Sequence, residues 1–94
     1  MAIAYLNGEW LAPEDAKVSV FDRGFMFGDG IYEVMAIYDY KIFTLDLHIQ
    51  RLARSLAAIR LKSPFEDAHW RLLLEEAARR GEEKTAYLYL QVTR

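Results

Sequence analysis

The sequence predicts an α+β fold, an antiparallel sheet with two helices. Three observations carry this reading: strand-like alternation at both ends of the chain, helical spacing of apolar residues between them, and a dense glycine cluster where the first strands give way to a long apolar one. At 94 residues the chain is one domain at most, and it buries only about 60–65% of its unfolded surface. Hydrophobic residues make up 53% and charged residues 28%, a globular rather than a disordered composition.

Taken in order, AIAYL and EWLA flank Asn7 and Gly8, the dipeptide whose readiness for positive φ suits a two-residue hairpin turn. KVSVF, residues 17–21, alternates at period two and reads as a short strand. The run FDRGFMFGDG follows, in which Gly24, Gly28 and Gly30 suit a compact turn with Phe25 and Phe27 plugging the core below it. Residues 31–39, IYEVMAIYD, are apolar on both faces and read as a strand covered on two sides, with Asp39 turning the chain into a brief return strand.

A first helix is predicted with Thr44 as N-cap, Asp46 in its first turn, and Ile49, Leu52, Leu56 and Ile59 along one face. Ser63, Pro64, Phe65 and Glu66 form a capping-box pattern for a second helix, with Trp70, Leu73, Leu74 and Ala77 as its core stripe and Gly81 as its stop. The closing TAYLYLQVTR alternates again: Ala86, Leu88, Leu90 and Val92 share one face, and Tyr87, Tyr89, Gln91 and Thr93 the other. Nothing else in the chain fills that second face, and the strand ends without a turn signal, so the expectation is a single truncated domain over residues 1–94.

Several function classes fall away on composition. A net charge of −2 offers no basic patch for a nucleic acid backbone. The absence of cysteine removes disulfides and thiolate metal sites and is compatible with a reducing cytoplasm. His48 and His69 lie far apart without a carboxylate cluster at ligand spacing, so no metal site is expected. No stretch reaches the ~20 apolar residues of a membrane span. The glycine cluster lacks the Gly-Lys-Ser/Thr of a P-loop, and a strand rather than a helix follows it, against a dinucleotide fingerprint.

Three separated motifs, FDRGFMFGDGIYEV, FTLDLHIQRL and YLYLQVTR, resemble in order the N-terminal domain of the class IV, fold-type IV pyridoxal-phosphate enzymes. Within that class the chain is most similar to D-amino-acid aminotransferases; branched-chain aminotransferases and aminodeoxychorismate lyases share the architecture with different glycine turns. The resemblance implies pyridoxal 5′-phosphate as cofactor, amino and keto acids as substrates, and a homodimer in the cytoplasm.

It also implies residue roles. Arg51 matches the arginine that binds the cofactor phosphate, a task suited to the planar guanidinium fork. Tyr32, Val34 and Tyr89 match the substrate pocket, where a phenol donates to a carboxylate and Val34 narrows the space. Glu33 points away from them and is read as an anchor for the glycine turn, and His48, one turn ahead of Arg51, as a cap or surface group with a cofactor-side role as the alternative. By the resemblance the Schiff-base lysine falls beyond residue 94, and Lys17, Lys41, Lys62 and Lys84 match no such position. A second reading keeps the 94 residues as a non-catalytic folding or dimerisation module.

Overall fold

A computed structural model describes residues 2–94. Strand β1 (Ala4–Leu6) and strand β2 (Glu9–Leu11) form an antiparallel hairpin in which Leu6 faces Glu9. Asn7 (φ 48°) and Gly8 (φ 96°) make the turn that the dipeptide predicts. Tyr5 packs edge-on against Trp10 with centroids 5.0 Å apart, and the Arg80 guanidinium lies 4.5 Å from the Trp10 ring centre, which fastens the hairpin to the helical part of the domain.

The expected strand at residues 17–21 does not form. Its alternation is real, but no neighbouring chain supplies hydrogen bonds, and Val18, Val20 and Phe21 are all exposed. The glycine run that follows is a short helix, α1 (Arg23–Phe27), and not a simple turn. Asp22 caps it by accepting from the Gly24 N–H at 2.8 Å, and Gly28 ends it at φ 64°. Phe25 and Phe27 are exposed at 72% and 64%, so neither plugs the core.

Strand β3 (Gly30–Tyr38) runs up the middle of a three-stranded antiparallel sheet ordered β4–β3–β5, with β4 spanning Lys41–Ile42 and β5 Thr85–Thr93. Asp39 and Tyr40, at φ 52° and 65°, turn β3 into β4, as the aspartate predicted. The register between β3 and β5 runs from Gly30 opposite Thr93 to Tyr38 opposite Thr85. Gly30 is required there: a Cβ would sit 2.5 Å from the Val92 carbonyl oxygen, a backbone atom with no room to retreat.

Helix α2 (Leu45–Ala58) and helix α3 (Asp67–Arg80) cover one face of this sheet. Met35 and Leu90 from the sheet close on Ile49, Leu52 and Leu56 of α2 and on Trp70 and Leu74 of α3. Leu73 lies partly buried against this cluster, and Ala78 extends the α3 stripe beyond the expected Ala77. Only this face of β3 is covered among the described residues: Glu33, Met35 and Ile37 are buried, whereas Tyr32, Val34 and Tyr38 are exposed. The expected two-sided burial of this strand is corrected accordingly.

Two helix starts differ from expectation. Thr44 stands at the start of α2 but at φ 53°, with its hydroxyl donating to the Phe43 carbonyl, so it caps nothing. The capping box at residues 63–66 does not open α3, which begins at Asp67, directly after it. Instead the Ser63 hydroxyl accepts from the Trp70 indole N–H at 3.0 Å, since a buried indole donor left unpaired is the greater cost. Gly81 follows the last residue of α3, as expected, but in a right-handed conformation; the left-handed residue is Glu82, at φ 59°.

Candidate functional site

The alternation of β3 sends its side chains to two different environments. On the open face, Tyr32 and Val34 stand beside Tyr89 of β5, which lies opposite Val34 in the register. The Tyr32 and Tyr89 rings stack with centroids 5.8 Å apart and an interplanar angle of 16°, and the Tyr89 hydroxyl lies 2.8 Å from Gln91 Oε1. Three of the sequence-predicted pocket residues are thus brought together, with Tyr87 exposed at 81% further along the same face.

On the covered face stands Glu33, 3% exposed and the single buried charged residue among those described. A carboxylate in such a place is tolerated only when paired and fully hydrogen-bonded. Arg51 of α2 supplies a two-pronged contact, Nε to Oε2 at 2.7 Å and Nη2 to Oε1 at 2.8 Å. His48, one turn earlier on α2, places Nδ1 2.7 Å from Oε1. Since an ionised carboxylate can only accept, Nδ1 carries the proton in this contact. Glu33 therefore pins strand to helix and does not anchor the glycine turn. His48 is a partly buried member of the cluster, neither cap nor surface group.

The Arg51 and His48 contacts hold the Glu33 carboxyl below the usual carboxylate range, Arg51 most strongly, against the opposing effect of burial. Its folded-state pKa is thus lower than that of the unfolded chain. The stabilisation is complete above the ordinary glutamate value of about 4.3 and fades as the pH falls through the lower folded value. Urea titrations across pH 6 to 3 should show the Glu33→Gln protein with a flatter loss of stability than the wild type below about pH 4.5. Parallel curves would remove Glu33 from the acid response.

Arg51 itself is half-exposed. A guanidinium has five N–H donors, of which Glu33 engages two. The end-on edge, Nη1 with the second Nη2 proton, has no partner among the described residues. Arg54 and Arg60 lie exposed. Arg51 and the tyrosine face are not in contact: Tyr32 and Glu33 are neighbours in sequence that point to opposite sides of β3.

A second cluster closes the lower end of β3. Asp29 accepts from Arg23 Nε at 2.9 Å and from Arg94 Nε at 3.1 Å, and the Arg94 N–H donates to the Asp29 carbonyl at 3.0 Å. Arg94 also reaches the carbonyls of Ile59 and Arg60 at the end of α2. The glycine run, the end of β5 and the end of α2 are thereby tied at one corner of the domain.

Residues 30–94, which carry β3, Arg51 and β5, match the family model described as amino-transferase class IV. The chain belongs to the class IV aminotransferase family. Among curated class IV relatives, the D-alanine aminotransferase of Listeria monocytogenes serotype 4b is 44% identical over 89 residues, covering 95% of this chain. That of Bacillus licheniformis is 42% identical over 88 residues, or 94% of this chain. Both matches span 31% of the relative, so the chain is about a third of the length of these enzymes.

In fold the class IV assignment is supported by the transaminase CpuTA1 of Curtobacterium pusillum, with a TM-score of 0.80, 30% identity, and coverage of 92% of this chain and 31% of that one. The T.th. branched-chain amino acid aminotransferase, solved with N-(5′-phosphopyridoxyl)-L-glutamate, overlays with a TM-score of 0.86 at 24% identity, covering 96% of this chain and 32% of that one. The expected α+β architecture is the one these class IV structures share. Among the described residues no helix is long and apolar enough to cross a membrane, and no group of histidine and acidic residues could hold a metal ion.

Proposed function

We propose that this chain is the N-terminal domain of a pyridoxal-phosphate-dependent D-amino-acid aminotransferase that moves an amino group from a D-amino acid such as D-alanine to 2-oxoglutarate. The observation that carries the reading is the 44% identity to a D-alanine aminotransferase along 95% of the chain. The branched-chain alternative rests on likeness of fold at 24–28% identity, which does not reach substrate choice.

The residues present fit the cofactor. A half-exposed arginine with a free two-proton edge suits a phosphate monoester, and Arg51 would hold it there. When bound, pyridoxal phosphate supplies the electron sink for transamination. This chain's own residues bind and orient. On the open face Tyr32 would donate a hydrogen bond to a substrate carboxylate without adding charge, Val34 would limit the side chain admitted, and Tyr89 stacks on Tyr32 and so fixes the angle of its ring.

Proton transfer at the substrate is assigned to a lysine outside these residues, because Lys17, Lys41, Lys62 and Lys84 match no position of the family's Schiff-base lysine. The complete enzyme is proposed to be a cytoplasmic homodimer, in keeping with the cysteine-free chain and an aromatic face fit for burial.

The complete protein should convert D-alanine and 2-oxoglutarate to pyruvate and D-glutamate, and residues 1–94 alone should not. Turnover of L-leucine or L-valine in place of D-alanine would shift the assignment to the branched-chain reading. Turnover by the isolated domain would overturn the division of labour.

A further inference from the structure

Glu33 is the least expected residue of the domain. It interrupts the apolar side of β3 between Ile31 and Met35, at the cost of desolvating a carboxylate. A leucine there would extend the core, and replacing a buried ion pair by apolar side chains is often neutral or stabilising. The geometry of the cluster shows what the carboxylate does instead. Both oxygens are engaged on one edge of the Arg51 guanidinium at 2.7 and 2.8 Å, and His48 braces Oε1 from the preceding helical turn at 2.7 Å. An arginine standing half in solvent is normally spread over many rotamers. Here the buried base of the contact fixes the plane of the guanidinium and leaves its end-on edge outward.

We propose that Glu33 is a positioning residue that presents the free edge of Arg51 to the cofactor phosphate, with His48 bracing Glu33. The inference rests on the reading of Arg51 as the phosphate ligand. Glu33 does not touch the cofactor. It acts by fixing Arg51 before binding, so that less side-chain freedom is lost when the phosphate arrives. A carboxylate that only fastened β3 to α2 would affect every ligand of the protein alike.

The test compares binding of pyridoxal 5′-phosphate with binding of pyridoxal, which lacks the phosphate, to the complete apoprotein by absorbance titration. Glu33→Gln keeps the shape but loses the charge and turns an N–H donor toward Arg51. It should weaken pyridoxal phosphate about fivefold or more while changing pyridoxal less than about twofold. Glu33→Asp, which keeps the charge and shortens its reach, should show the same phosphate-selective loss and stands in should the glutamine variant not fold. In an Arg51→Ala background, Glu33→Gln should have no further effect on the ratio of the two affinities.

Equal weakening of both ligands, or a phosphate-selective effect that persists without Arg51, would overturn the proposal while leaving Arg51 in its role. Unchanged discrimination between the two ligands in Arg51→Ala alone would remove Arg51 from the phosphate site and take the proposal with it.

Discussion

Trp70→Ala should cost about 3–5 kcal/mol of stability and lower the thermal midpoint by roughly 15 °C or more. Trp70 is 5% exposed and packs with Leu52, Leu56 and Leu74 at the junction of both helices with the sheet. Its loss opens a cavity that rigid neighbours on three elements cannot refill. The ring also carries a polar duty, since its N–H is bonded to the Ser63 hydroxyl at 3.0 Å and its edge meets Phe65 at a centroid distance of 4.9 Å. Ser63→Ala, which strands the indole donor, should cost about 1–3 kcal/mol by itself. Thermal or urea unfolding followed by circular dichroism measures both. A change below about 1 kcal/mol for Trp70→Ala would show that the core is not organised around this residue.

Arg51→Ala in the complete enzyme should weaken cofactor retention by about 10- to 150-fold, the equivalent of about 1.5–3 kcal/mol for hydrogen bonds to a charged group. Arg54→Ala, three residues on and exposed, should stay within about twofold. Arg51→Lys is the informative intermediate. It keeps the charge, but a point-like ammonium cannot engage both Glu33 oxygens and still offer a paired edge outward. Its cofactor affinity should lie closer to alanine than to arginine. Equal affinities in all three variants, read by equilibrium dialysis, would exclude Arg51 from the site.

Much of this fold was legible because its signals are local. Asn7 and Gly8 turned the chain as their φ preferences dictate, and the alternation of residues 85–93 sorted Leu88 and Leu90 from Tyr87 and Tyr89 correctly. The failures came where a local signal met a distant competitor. Residues 17–21 alternate like a strand but lack a partner, and no sequence pattern reports who lies alongside. Ser63 has the look of a cap, yet its hydroxyl goes to an indole seven residues away.

The glycine run hid a helix because glycine disfavours helices, although Asp22 two residues before Gly24 was a readable cap. In the site, the tyrosine face followed from period two, whereas the role of Glu33 did not. Its signal was present: a carboxylate among buried residues demands partners, and His48 and Arg51 are spaced to offer two donors from one helix face.

The pairing of β3 with β5 also sets the order in which the domain can assemble. β3 precedes both helices and β5 follows them, so the longest strand contact joins segments from opposite ends of the helical half. Contacts of such sequence separation slow folding, because a long loop must close before any pairing rewards it. On the ribosome, β3 emerges early with only the two-residue β4 available to it. Its other edge must wait until residue 93 has been made, although α2 and α3 can begin to cover the apolar side that carries Met35 before then. Throughout that interval the nascent chain exposes an unpaired strand edge of the kind that chaperones shield.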